Sequence, residues 1–354
     1  MLGKLRDQAT IVPRPDMAGK EGSRASEGRR AHTERALHCA VICRHFGVCG
    51  GCTAQDVSYS RQLDQKAESI KVRLARFIAR PADVLAVPLV LPTPVGRSGL
   101  DARDAQPWRF RRKVAFAFGT RPCGRGLVMG HYARGSRQIV PVDECPVHSD
   151  RGNRIAFALR DHLVRTGITA ADRAGRGVLR HVLIRSTADD AQAVAMLVVT
   201  RNDRALRPAI RALLDSTDRP EGFLLNIHDR PGPYMVGPTT LRIAGREHVE
   251  ERLHGARFLV SPGAFFQTNP QAAGALQGLV TAGVGASRRV LDLYAGSGLF
   301  TVPLALGGAH VMAVEENRQS VRDATRNVRL NRLPSGRVRL TCARVEDALL
   351  PAVR

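Results

Sequence analysis

Apolar residues recur at steps of four and three along YSRQLDQKAESIKVRLARFI, which places Leu63, Ala67, Ile70, Leu74 and Phe77 on one face of a predicted helix beside the preceding loop. From Trp108 onward the period shortens to two. RFRRKVAFAFG and GLVMGHYARGSRQIVPV read as strands, and VLRHVLIRST followed by QAVAMLVVTR reads as a pair joined by a polar DDA turn. Helical stretches at about 149–166 and 203–214 interrupt them, so the middle of the chain is expected to be α+β. From about Ser287 the order becomes strand, Gly loop, helix, strand, helix, strand, through RRVLDLY, FTVPLALGG, HVMAVEE, SVRDATRNVRLN and RVRLTCA. That alternation predicts βαβ units in a parallel α/β sheet.

Breaks in these patterns divide the chain. Residues 1–35 are polar, Gly- and Arg-rich and aperiodic, which predicts a disordered lead. Pro81, Pro88, Pro92, Pro94 and Gly96 mark a linker up to about Gln106. The expected segments are a 1–35 lead, a 36–84 cysteine loop and helix, an 85–260 α+β domain and a 261–354 α/β domain. No apolar run approaches the ~20 residues of a membrane span, and the basic N-terminus lacks the apolar core of a secretory signal. A cytoplasmic, soluble protein is the expectation.

Charge adds a partner. The 354 residues carry 54 Lys plus Arg against 32 Asp plus Glu, a formal +22, which favours a polyanion and nucleic acid ahead of membrane. Arg109, Arg111, Arg112 and Lys113 follow the single tryptophan, Trp108, and interleave charge with aromatics as RNA-contacting strands do; a solvated strand face has the same pattern.

Two constellations carry chemistry. Cys43, Cys49 and Cys52 are spaced C-x5-C-x2-C, and Cys145 in VDECPVH is the natural fourth thiol. Four soft sulfur ligands suit tetrahedral zinc or an iron–sulfur cluster, and spacing leaves both open. Gly50 and Gly51 allow the backbone to wrap closely, while Cys39 and Cys123 lack this loop context. The loop DLYAGSGLF follows a predicted strand and opens a helix, so its backbone can approach a ligand. Gly296 and Gly298 are placed for this, and Thr301 stands where a dinucleotide fingerprint has its third Gly, which disfavours NAD. Glu315, ending the next strand, can accept hydrogen bonds from ribose hydroxyls. Between these motifs lies SPGAFFQTNP, readable as a recognition turn or as two core phenylalanines with a helix cap at Thr268 or Asn269.

With these three motifs in this order, the chain from about Cys43 to Asp347 resembles the RNA (uracil-5-)-methyltransferase family, most of all the iron–sulfur branch that methylates 23S ribosomal RNA. The resemblance implies a class I methyltransferase (Rossmann-like) sheet preceded by the α+β domain and cluster segment. It implies that Cys43, Cys49, Cys52 and Cys145 hold a [4Fe-4S] cluster, and that Gln267, Tyr294 and Glu315 contact S-adenosylmethionine with Gly296 and Gly298 shaping the loop. Phe265 would lie near the unstacked base. In such enzymes a cysteine thiolate adds to C6 of uracil, C5 attacks the sulfonium methyl, and a base removes the C5 proton.

The family's nucleophilic cysteine and glutamate base follow the fourth cofactor-domain strand, after an Asp-Pro-Pro-like segment, so the resemblance assigns no catalytic residue here and places both beyond Arg354. Cys342 falls in the third strand, where the family has no nucleophile. The expectation is an incomplete sheet supplying strands 3, 2 and 1, with VLDLY as an edge, and a chain of low solubility and weak cofactor affinity that is itself inactive. The alternatives are an inactive RNA-binding remnant, a tRNA uracil-5 methyltransferase, or an unrelated methyltransferase with a zinc module.

Overall fold

A computed structural model describes residues 43–75, 77, 108–121, 126–172, 174–230 and 235–352, all within one compact unit. The expected lead at 1–35, most of the linker, Cys39 and Cys123 lie outside the described residues.

Strands β1 (Lys113–Thr120), β2 (Leu127–Tyr132), β3 (Ile139–Pro141), β4 (Leu179–Ser186), β5 (Ala193–Val199), β6 (Gly222–Ile227) and β7 (Thr239–Gly245) form one sheet in the order β3-β2-β1-β4-β5-β6-β7. Every pairing is antiparallel except β5 with β6. The β4–β5 hairpin is the pair expected from the sequence. Strand β5, AVAMLVV, is buried at every position because both faces of the sheet are covered. On one face α2 (Asp150–Val164) and α3 (Arg207–Leu214) close over Phe116, Leu179, Leu197 and Phe223. On the other, Leu183, Val194, Met196 and Leu224 meet the hairpin of β8 (Val249–Leu253) and β9 (Ala256–Val260), together with Phe266, Leu299 and Val302.

Helix α1 (Tyr59–Leu74) forms where the periodicity predicts, capped by Ser58. Its apolar stripe does not become core: Tyr59 is its buried residue, whereas Ile70, Leu74 and Phe77 are exposed. The contact expected beside the cysteine loop is made by a polar group instead, since the Gln62 amide donates to the carbonyls of Ala54 and Val57 at 2.9 Å each.

The C-terminal part runs α4 (Pro270–Val284), β10 (Arg289–Leu293), α5 (Thr301–Leu306), β11 (His310–Glu315), α6 (Arg318–Leu330), β12 (Val338–Cys342) and α7 (Val345–Ala352). Its three strands are parallel in the order β10-β11-β12, the 3-2-1 arrangement expected, with β10 at an edge and Leu291 44% exposed.

Helix α6 joins this sheet to β9 by a ladder of side chains. Asp323 accepts from the backbone N–H of Ser261 at 2.8 Å. Asn327 accepts from Leu259 N–H at 2.6 Å and donates to its carbonyl at 3.2 Å, and Asn331 does the same for Arg257 at 2.9 and 2.7 Å. Four residues of helix rise about 6 Å, and two residues of strand about 6.7 Å, so side chains at every fourth helical position match alternate peptides of an otherwise open edge.

Candidate functional site

Strand β10 delivers the Gly loop. Tyr294 leaves the strand in the left-handed region at φ +59° and is 64% exposed. Ala295 N–H returns to the Val314 carbonyl at 3.0 Å, which holds the loop against β11. Gly296 has φ +58°, which favours glycine, and a Cβ there would lie 3.1 Å from both the ring and the carbonyl oxygen of Phe265, a tight approach. Gly298 has φ +90°. Thr301 is explained by its hydroxyl, which donates to the buried Asp292 carboxylate; burial nonetheless holds that carboxyl above its usual range.

Glu315 ends β11 as expected, and its buried carboxylate faces the loop. It accepts from Gly296 N–H at 2.9 Å and Asn317 N–H at 2.8 Å, one on each oxygen. Each oxygen retains a lone pair for a further donor.

The segment 261–269 lies against this loop as a strap, and its two phenylalanines part company. Phe266 is buried with its ring 5.4 Å from that of Phe258, while Phe265 is 59% exposed beside Gly296. The Phe265 carbonyl accepts from Ser297 N–H at 3.2 Å and Ser297 Oγ at 3.0 Å, and its N–H donates to Ser320 Oγ at 3.1 Å. Gln267 is half-buried between them and Asn269, which caps α4 by accepting from Gln271 and Ala272 N–H. The strap's other side is held by the central sheet. Lys113 Nζ donates to the Ala264 carbonyl at 3.2 Å, and Arg185 Nη2 donates to the carbonyls of Ala264 and Phe266 at 3.5 and 3.4 Å. Arg112 N–H reaches the Thr268 carbonyl at 2.7 Å.

These contacts give the residues of the basic stripe different surroundings. Its residues do not share one exposed face. Strand alternation aims Lys113 at the strap, where burial first and Arg185 second push its ammonium down to about 7. Arg112 pairs with Asp190 at 2.7 Å, half-buried. Arg109, exposed, pairs with Asp150 at 2.9 Å, and Arg111 turns toward the cysteines. Arg185 was not singled out by sequence reasoning; an arginine at a core-facing position of an apolar strand was its only signal.

Cys43, Cys49, Cys52 and Cys145 line one pocket with Arg111 and His131. The first three are set by a loop that pairs with the end of β2: Gly50 N–H donates to the Tyr132 carbonyl at 2.9 Å and Arg134 N–H to that of Val48 at 3.1 Å. A Cβ on Gly50 would lie 2.8 Å from the Tyr132 carbonyl oxygen, which is the close wrapping expected. Cys145 follows β3, and the peptides after it pair with the segment before β1: Arg109 N–H bonds to Pro146 O at 2.8 Å and Arg111 N–H to Val147 O at 2.9 Å.

The thiols are free and close enough to repel as thiolates. Burial raises Cys49 above its usual range, opposed by the Gly51 N–H at 3.4 Å, and Cys52 and Cys43 raise it further. Burial pushes Cys145 up to about 12 against the N–H groups of Val147 and His148. A cation among them would remove that cost, so the donor set fits a thiolate-bound metal. Cys145 also belongs to a second group: its sulfur and ligand atoms of His131 and His148 all lie within 4.8 Å of one another.

Cys342 is exposed at the end of β12, its thiol 3.8 Å from the Glu316 carbonyl oxygen. Among the described residues no helix is long and apolar enough to cross a membrane.

No family model matches the chain. It is 32% identical over 314 residues to an uncharacterized RNA methyltransferase of Gloeobacter violaceus, covering 86% of this chain and 64% of that protein. It is 27% identical over 298 residues to another from Caldanaerobacter subterraneus subsp. tengcongensis, covering 82% of this chain and 62% of that one. The chain thus spans just under two thirds of the length of these curated relatives. Among solved structures it resembles the tRNA (uracil-54, C5)-methyltransferase of Pyrococcus abyssi in complex with S-adenosyl-L-homocysteine, with TM-score 0.63 and 23% identity over 86% of this chain and 66% of that one. The likeness shows the fold, an α/β class I methyltransferase fold with a mixed sheet and helices.

Proposed function

We propose that this protein is an S-adenosylmethionine-dependent RNA methyltransferase acting on C5 of a uridine, with 23S ribosomal RNA ahead of transfer RNA as substrate and the cytoplasm as its location. The observation that carries the reading is the meeting of three motifs distant in sequence: Phe265 on the strap, the loop at Gly296 and Ser297, and Glu315. The relatives' names support RNA as the class of substrate. The division at 36–84, 85–260 and 261–354 goes with this reading.

S-adenosylmethionine would supply a methyl group made electrophilic by its sulfonium. Glu315 presents its remaining lone pairs to ribose hydroxyls, the two glycines admit the cofactor close to the backbone, and Tyr294 and Gln267 flank it. Phe265 offers an exposed ring on which an unstacked base can lie. Of the basic residues, Arg109 keeps an exposed head for phosphate. We assign no catalytic role to Cys342. The four cysteines would hold a [4Fe-4S] cluster, which would tie the 43–52 loop to the loop at Cys145.

The His131–Cys145–His148 group favours a second reading of that centre, a zinc held by sulfur and imidazole. Calorimetry with S-adenosylhomocysteine on wild type, Glu315→Ala and Phe265→Ala, with iron, sulfide and zinc analysis, tests both halves. The expected result is binding lost in Glu315→Ala and retained in Phe265→Ala, in a brown iron- and sulfide-containing protein. Binding of 23S fragments and of tRNA, compared at one fixed salt concentration, then names the RNA. Absence of S-adenosylhomocysteine binding would overturn the methyltransferase reading, and stoichiometric zinc would overturn the cluster.

A further inference from the structure

We propose that Arg111 and His131 set the redox poise of the cysteine-held cluster, the guanidinium through its fixed charge and the imidazole through an N–H directed at a sulfur of the centre. The inference rests on the cluster reading above and concerns residues that reading leaves unused. Arg111 lines the same pocket as the four cysteines, and its backbone is fastened there on both sides, by its N–H to Val147 O at 2.9 Å and by Ser149 N–H to its own carbonyl at 3.1 Å. Its positive charge reaches Cys145, His131 and His148. His131 also lines the pocket, with a ring nitrogen within 4.8 Å of the Cys145 sulfur, and its Nε2 is buried without a hydrogen-bond partner. Its ring lies across from Gly51, where an added Cβ would be 3.6 Å from Cδ2 and 3.4 Å from the Cys49 sulfur.

An unpartnered buried polar atom costs about 1–3 kcal/mol, and in the tautomer that carries its proton on Nε2 this one is a donor facing the sulfurs without an acceptor of its own. A cluster bound by four thiolates is anionic, and its charge grows by one when it accepts an electron. A fixed cation and an N–H to sulfur both stabilise the more negative state, which raises the reduction potential. Arg111 is thereby removed from the RNA-contacting stripe in which its sequence neighbours placed it.

The test uses the full chain, reconstituted anaerobically with iron and sulfide, as wild type, Arg111→Gln, Arg111→Lys and His131→Phe. Iron and labile sulfide are counted, and dithionite titration followed by electron paramagnetic resonance gives the potential of the one-electron step. The expected order is a large downward shift in Arg111→Gln, near recovery in Arg111→Lys and a smaller downward shift in His131→Phe, at unchanged iron content. Should Arg111→Gln hold no cluster, His131→Phe and Arg111→Lys decide. Cluster-loaded variants with the wild-type potential overturn the proposal alone, as does an Arg111→Gln protein that loses RNA affinity while its potential stays put. A wild type that takes up zinc and no iron overturns the cluster reading and the proposal with it.

Discussion

The two faces of the central sheet obey one alternation rule and both carry an apolar core, but one of them adds a set of polar contacts to a strap. Toward α2 and α3, Val114, Phe116 and Phe118 of β1 meet helical side chains, and the core there is apolar. Toward the strap, Lys113 and Ala115 of the same strand meet a loop whose carbonyls need donors. Helices satisfy their own backbone and offer only side chains, whereas a strap with no ladder of its own must find partners in its neighbour. The buried Arg185 and the half-buried Lys113 on the second face answer that need, and they seat the strap on which Phe265 and Gln267 stand.

The largest effect expected from breaking this contrast is on the face under α2 and α3. Phe223→Ala should cost about 3–5 kcal/mol in urea unfolding, with the S-adenosylhomocysteine affinity of the remaining folded protein unchanged. On the other face, Gly296→Ala should cost about 1–2 kcal/mol from the left-handed backbone alone, and the displacement of Phe265 should weaken S-adenosylhomocysteine binding in calorimetry. Wild-type affinity in that variant would separate the loop from the cofactor. Arg185→Met should leave stability within about 1 kcal/mol, because losing two long hydrogen bonds is offset by no longer burying a charge. It should weaken S-adenosylhomocysteine binding about tenfold, or 1.4 kcal/mol, by freeing the strap; equal affinity would reduce the cation to a packing residue.

The smallest effect is a slope. Lys113 titrates at about 7 in the folded protein against 10.5 as an unperturbed group, so the unfolded chain binds more protons between those values. The penalty of its buried charge is present in full below about 7 and is relieved as pH rises toward 10.5, so this group adds stability across that window. Urea midpoints measured from pH 7 to 10 should rise less in Lys113→Met than in wild type. Parallel profiles would place the ammonium in water.

Much of this was legible in the chain. The β4–β5 hairpin, α2 and the alternation from β10 to β12 follow from period and turn residues, and Gly296 and Glu315 stand where the loop motif puts them. Other features were hidden for identifiable reasons. The stripe on α1 had helical spacing, but periodicity shows which residues share a face and says nothing of what covers it. Lys113 and Arg185 carry charges that ordinarily mark solvent, and only the strap reverses that meaning. Asp323, Asn327 and Asn331 fall four apart in DATRNVRLN and read as a solvated face until the spacing is set against the peptides of β9.

That ladder has a kinetic consequence. The amides of Arg257 and Leu259 on β9 and of Ser261 just past it are sheltered from solvent deuterium by side chains of α6 and its C-cap Asn331, whereas their neighbours on β9 that pair with β8 are sheltered by a backbone ladder. Alternate amides of one strand therefore report on two different opening events. If α6 lifts before the hairpin frays, exchange along β9 will be fast and slow by turns, residue by residue, and the ratio of the two rates will measure how firmly the Gly-loop sheet is moored to the rest of the protein.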